Sequence, residues 1–194
     1  ENANTSTESA AFDSNSNKVV IAYVDNGNSG HGTAIVGTVS GTSISFGSPT
    51  VFEASLNVAD TSITFDSNSN KVVISFSDTA AGNYGTAIVG TVSGTSISFG
   101  TPTVFESAST SQISSTFDSN LNKVVIAYRD NGNSVYGTAI VGTVSSTSIS
   151  FGSATVFESA AVDNPSAVFD SNSNKVVIAY SDAGNGDYGT AIVG

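Results

Sequence analysis

The alternation of hydrophobic and polar positions repeats along the chain. FDSNSNKVVIAY at residues 12–23 returns as FDSNSNKVVISF at 65–76, FDSNLNKVVIAY at 117–128 and FDSNSNKVVIAY at 169–180. The offsets are 53, 52 and 52 residues (65−12, 117−65, 169−117). GTAIVG follows every copy, and TSISFG follows the first three. A tandem unit of this size buries its apolar surface against its neighbours rather than alone.

The strand signals differ within a repeat. In the third copy, residues 113–117 read as a short extended segment and 118–122 as a turn of Asx and Ser residues. KVVIAY at 123–128 is β-branched and aromatic, hence a strand. Residues 130–134 form a loop, 136–144 a second strong strand, Ser145-Ser146 a tight turn, and 147–151 a third clear strand. Phe157-Glu158 leads into the next repeat. A 3.6-residue period is absent, so helices are not expected. VVIAY and TAIVG are continuous apolar runs, as in strands covered on both faces. TSISF alternates, as in a strand with one face in water.

This is the pattern of a β-propeller blade, with sandwiched inner strands and a solvated outer one. The expected fold is all-β: a β-propeller of four tandem four-stranded antiparallel blades of about 52 residues, the last blade lacking its outer strand. The repeats are bounded at 1–53, 54–105, 106–157 and 158–194, the fourth incomplete. A β-solenoid competes, but its coils are usually shorter, and three distinct turns per repeat suit meandering hairpins better.

DNPSAVFDSNSNKVVIAYSD at 163–182 resembles the first two blade strands of sialidase-like (BNR, Asp-box) propellers. SGTSISFG at 40–47 and 93–100 looks like a degenerate Asp-box turn, with the family's Asp missing and Phe where Trp is usual. The repeat is also similar to highly repetitive propeller repeats of secreted or phage-associated bacterial proteins. The resemblance covers every repeat and implies the fold more than a function.

Composition narrows the function classes. Net charge is −11, and the only cations are Lys18, Lys71, Lys123, Lys175 and Arg129. Nucleic-acid binding and attraction to anionic membranes both need clustered Lys and Arg, so neither is expected. No apolar run approaches the length of a spanning helix, so membrane insertion is not expected. With no Cys there is neither a disulfide framework nor thiol chemistry. Cys-free composition and a start at Glu1 rather than Met are read as a trimmed extracellular product: secreted, cell-surface or virion-associated.

Candidate chemistry is sparse. Sialidases use an arginine cluster for the substrate carboxylate, and one arginine cannot form it. His31 is the sole histidine, in the place held elsewhere by Tyr84, Tyr136 and Tyr188, so His-based triads and metal sites lack parts. Asp13, Asn15 and Asn17, repeated as Asp118, Asn120 and Asn122, have the spacing that opens a calcium loop. The later Gly and bidentate Glu are absent, so no stoichiometric calcium and no cofactor are expected. Glu1, Glu53, Glu106 and Glu158 recur as loop caps or ligands.

The copies disagree in two places. One is the segment before the first strand: NANTSTESAA, ASLNVADTSIT, SASTSQISST and SAAVDNPSAV. The other is the loop between second and third strands: VDNGNSGH, SDTAAGNY, RDNGNSVY and SDAGNGDY. In a meander these connections emerge together, opposite the constant turns. The expected function is a non-enzymatic recognition module binding a surface glycan or protein through this varied face. Asp25, His31, Tyr84, Arg129, Asp130, Tyr136, Asp182 and Tyr188 are its candidate ligand-binding residues. A structural or adhesive repeat is the alternative, and a glycan-processing enzyme a distant third. Self-association to complete the ring is a further expectation.

Overall fold

The computed structural model describes residues 4–54 and 57–194. Strand makes up 71% of them, and the helical segments among them are short 3-10 turns, so the chain is all-β. The first unit holds β1 (Thr5–Asp13), β2 (Lys18–Asp25), β3 (His31–Ser40), β4 (Ser43–Phe46) and β5 (Thr50–Glu53). The second holds β6 (Val58–Asp66), β7 (Lys71–Asp78), β8 (Tyr84–Ser93) and β9 (Ser96–Phe99). β10 (Thr103–Asp118) runs from the second unit into the third, which continues with β11 (Lys123–Asp130), β12 (Tyr136–Ser145) and β13 (Ser148–Phe151). β14 (Thr155–Asp170) likewise enters the fourth unit, completed by β15 (Lys175–Asp182) and β16 (Tyr188–Val193).

Each unit is an antiparallel meander; the VVIAY strand (VVISF in the second unit) is interior in all four and the TAIVG strand in the first three, while among the described residues β16 pairs with β15 alone. Because β10 and β14 each belong to two units, the strands are connected as one sheet of five and one of eleven. Among the described residues, no strand pairing joins the first unit to the fourth. The shared strands also run across the expected repeat boundaries at 105/106 and 157/158.

Two features differ from the sequence expectation. TVFE, read only as a lead into the next repeat, is strand: β5 and the starts of β10 and β14 pair with the third strand beside SISF. The residues after SISF break the outer strand into two pieces. Its second piece is anchored by Phe52, Phe105 and Phe157, whose rings lie over Gly32, Gly85 and Gly137. A Cβ at any of these glycines would sit 2.4 Å from the ring, so the glycine is required by close approach. The segments read as linkers before the first strand are also strand. Each has a register shift, at Ser6/Ser9, Ala59/Ser62, Ser111/Ser114 and Asp163/Ser166. Thr7, Asp60, Gln112 and Asn164 at these bulges have φ of 50 to 54°. A bulge resets the inward–outward alternation, which hides the strand from a period-two reading.

The units stack face to face. Val20, Ala22 and Phe52 of the first meet Val72, Ile74 and Phe76 of the second, and the arrangement recurs at the two later junctions. Phe52 lies 5.3 Å from Phe76, Phe105 5.3 Å from Tyr128, and Phe157 5.2 Å from Tyr180, all tilted as aromatic quadrupoles prefer. The first strands approach more closely. Ile63, Ser115 and Ala167 N–H groups donate to the hydroxyls of Ser9, Ser62 and Ser114 at 3.2, 2.9 and 3.0 Å. In the second, third and fourth units a main-chain donor of the first strand thus finds a partner in the unit before it. Among the described residues the outward face of the first unit has no such cover: Ile44 is 43% exposed, against 5% and 4% for its counterparts Ile97 and Ile149.

Candidate functional site

The second-to-third-strand loops gather at one end of the stack with the varied starts of the first strands. Val58 N–H donates to the Gly30 carbonyl at 3.0 Å, Thr110 to Asn83 at 2.8 Å, and Val162 to Val135 at 3.2 Å. Each loop therefore holds the first strand of the next unit. The two varied segments form one continuous surface, while the DSNSN and Ser-Gly turns lie at the other end.

The candidate carboxylates sit at the ends of the second strands, each opposite an aromatic residue. Asp25 pairs in register with His31, Asp130 with Tyr136 and Asp182 with Tyr188, and Asp78 takes the same place beside Tyr84. Asp25 accepts from Asn28 N–H at 3.1 Å, Asp182 from Gly184 N–H at 2.9 Å, and Asp78 from Ala80 and Ala81 N–H at 3.1 and 3.3 Å. These three cap 3-10 turns. His31, Tyr84 and Tyr136 are half-buried, whereas Tyr188 is 67% exposed. The predicted residues are grouped unit by unit, and none of the eight lines the apolar cavities described below.

The third unit departs from this plan. Its loop has no 3-10 turn, and Ser134 and Val135 both have positive φ, 57° and 59°. For β-branched Val135 this conformation is strained. Asp130 is 6% exposed, and its Oδ1 has no well-aligned hydrogen-bond partner. Burial, then the charge of Glu106, raises its carboxyl above the ordinary range, and the nearby amides of Asn133 and Gly132 offset part of this.

Arg129 is not a free cation. Its Nη1 lies 2.5 Å from Asp163 Oδ1, which also accepts from Gln112 Nε2 at 3.2 Å. Gln112 Oε1 accepts from Asn164 N–H at 2.7 Å, so the arginine joins a polar network across the junction of the third and fourth units. The arginine named from the sequence as a candidate ligand-binding residue is thus also a structural partner at this junction. Asp163 and Gln112 were missed individually, although both lie in a segment marked as variable. The bulge residue Asp60 is similar: burial raises its carboxyl, opposed by the main-chain N–H of Gln112.

The remaining acidic motifs among the described residues are absorbed by local structure; Glu1 lies outside the described residues. Asp13 is buried, and its Oδ1 accepts from Asn15 and Ser16 N–H at 2.9 and 3.0 Å while Oδ2 accepts from Ser16 Oγ at 2.7 Å. Asp118 accepts from Asn120 and Leu121 N–H at 2.8 and 2.9 Å. Asn17 and Asn122 close the turns at φ of 54° and 55°. These are Asx turns whose carboxylates serve the backbone. Glu106 accepts from Ala108 N–H at 3.1 Å and the Tyr128 hydroxyl at 3.2 Å, and Glu158 from Ala160 N–H at 3.1 Å and the Tyr180 hydroxyl at 3.1 Å. They therefore cap a loop and receive a phenol of the next unit. Burial, followed by the Glu106 charge, pushes the Tyr128 hydroxyl well above the usual phenol range.

Two cavities are present, the first reaching Thr5 and Glu8 of the varied first-strand segment and the second at the other end, beside Asp118 and Leu121. One, of about 210 Å³, is on the open face of the first unit, between Tyr23, Ile21, Ile35 and Phe46. The other, of about 510 Å³, lies between the third and fourth units and is lined largely by aliphatic side chains. No protein-family model and no curated protein matches the chain.

Proposed function

We propose that the chain is an arc of a β-propeller serving as a non-enzymatic, extracellular recognition module. Its varied end would bind a surface ligand, a glycan or a protein. The propeller reading is supported by the way the sheets fan. First strands approach to hydrogen-bonding distance, while later strands are separated by full layers of side chains. The observation that carries the functional reading is the joining of the two varied segments, through Gly30–Val58, Asn83–Thr110 and Val135–Val162. The sequence differences between units thereby collect on one surface, over a scaffold that scarcely changes.

The junction of the third and fourth units is the favoured contact region. There Arg129, Asp163 and Gln112 present charged and amide groups, and in the same unit the half-buried Tyr136 stands opposite Asp130. Rings beside fixed polar groups suit sugars as well as protein surfaces. One arginine in the sequence and the turn-capping use of the carboxylates described above argue against glycan processing. A structural or adhesive role is the second reading, favoured by the turn-capping work of Asp25, Asp78 and Asp182. Glycan-array binding of the 194-residue chain separates the two. Specific binding that weakens in Arg129→Ser supports recognition, and no binding to any glycan or surface protein favours the structural role.

A further inference from the structure

We propose that the third unit's loop at residues 130–135 is a pH-sensitive switch, in which the amides of Gly132 and Asn133 pass between main-chain carbonyls and the Asp130 side chain. The first and third units carry one pentapeptide, Asp-Asn-Gly-Asn-Ser, at 25–29 and 130–134. It takes two hydrogen-bonding patterns. In the first unit Asn28 N–H donates to Asp25 Oδ1 at 3.1 Å and closes a 3-10 turn. In the third, the equivalent Asn133 N–H donates to the main-chain carbonyl of Asp130 at 3.1 Å, and no 3-10 turn forms. Gly132 N–H is taken by the Ser109 carbonyl of β10 at 3.2 Å. The second unit uses both equivalent amides for capping: Ala80 and Ala81 N–H donate to Asp78 Oδ1.

The exits of the two identical loops match. Ser29 and Ser134 have φ of 58° and 57°, and Gly30 and Val135 have φ of 72° and 59°. The difference is therefore confined to residues 130–133, where a small rotation exchanges one acceptor for the other. Asp130 is 6% exposed, and its Oδ1 is left without a partner. A buried carboxylate without donors is costly, whereas a neutral acid is tolerated in the same place. The pattern described is thus that of the neutral acid. Ionisation makes the side chain the stronger acceptor and draws the two neighbouring amides into the capped form that the first unit shows.

The surroundings set the balance between the two forms. Burial, then the charge of Glu106 on β10, opposes ionisation of Asp130. Glu106 itself receives the Tyr128 hydroxyl at 3.2 Å, and Tyr136 of β12 stands opposite Asp130 in register. Cations do not offset this: Arg129 is engaged across the junction by Asp163, and Lys123 lies at the far end of β11, opposite Asp118. The switch moves groups on the varied surface, because Asn131 and Asn133 are exposed there and Asn131 Nδ2 is tied to Ser111 Oγ at 3.0 Å. It belongs to the loop and holds whether or not that surface binds a ligand.

The test is solution NMR of the full chain from about pH 4 to about pH 8, with the Asp130 carboxyl carbon followed as the titration coordinate. At the acid end the Asn133 amide nitrogen should show a cross-hydrogen-bond coupling to the main-chain carbonyl carbon of Asp130. Above the carboxyl midpoint, which should exceed the ordinary aspartate value of about 3.9, that coupling should be lost and one to the carboxyl carbon should replace it. Asp130→Asn, whose amide does not ionise, should keep the main-chain coupling across the whole range. A main-chain coupling that persists in the parent after Asp130 has ionised, or an exchange of acceptors that still follows pH in Asp130→Asn, overturns the switch.

Discussion

At the scale of single residues, acidic side chains do most of the local organising. Asp66 is buried and accepts three hydrogen bonds, from Asn68 N–H, Ser69 N–H and Ser69 Oγ, at 2.9, 3.0 and 2.7 Å. Asp66→Ala should cost about 1–3 kcal/mol, the penalty for stranding buried polar groups, and chemical denaturation would measure it. The carboxyls of Asp130 and Asp60 are raised, in both cases chiefly by burial. With a folded pKa above the unfolded one, each favours folding most when protonated. Its contribution is complete below the unfolded pKa and is lost as pH rises through the folded one. Glu8 and Asp170 are lowered by hydrogen bonds, so their contributions are lost as pH falls. Asp130→Asn should therefore reduce the gain in stability between neutral pH and the carboxylate range, measured by denaturant titration across pH. Arg129 and Asp163 are 27% and 42% exposed, so Arg129→Ser should cost less than about 1 kcal/mol. Residue types alone made the Asx turns legible, since Asp followed by Ser and Asn has few other uses. The Arg129–Asp163 pair was not legible, because its members lie 34 residues apart and meet only when units stack.

At the scale of elements, the four copies act as internal controls. Gly85 and Gly189 occupy the same repeat position, but a Cβ at Gly85 would lie 2.4 Å from the Phe105 ring, while Gly189 faces open space. Gly85→Ala should lower stability by about 1–3 kcal/mol through overpacking. Gly189→Ala should change it by no more than about 0.5 kcal/mol. Thermal melts of the two variants give the comparison directly. The interior strands were legible because VVIAY and TAIVG are apolar on both faces. The first strands were legible only in their later halves, as at residues 113–117; their starts were not, because Thr7, Asp60, Gln112 and Asn164 interrupt the alternation with a left-handed residue. The broken outer strand was half legible: SISF alternates, but TVFE shows its role only when its Phe is seen over a glycine of the adjacent strand.

At the scale of the whole molecule, a stack built from near-identical surfaces leaves one kind of freedom, the chemistry at its ends and edges. The repeat length and strand patterns made the stacked antiparallel units legible. The joining of units through β10 and β14 was not, because a strand that serves two units has no boundary in its sequence. The varied end was legible as a set of loops. Its continuity arises from main-chain bonds between the loop of one unit and the first strand of the next, which no side-chain pattern records. Recognition through that end is tested most directly by making the four loops alike. The loops at 26–30, 79–83, 131–135 and 183–187 would all be given the sequence NGNSG, which the first unit already carries. Binding to a ligand identified on a glycan array should then be lost while the thermal melt stays within a few degrees of the parent. Binding that survives this change, but disappears when the constant turn at Asn120, Leu121 and Asn122 is altered, would contradict recognition through the varied end.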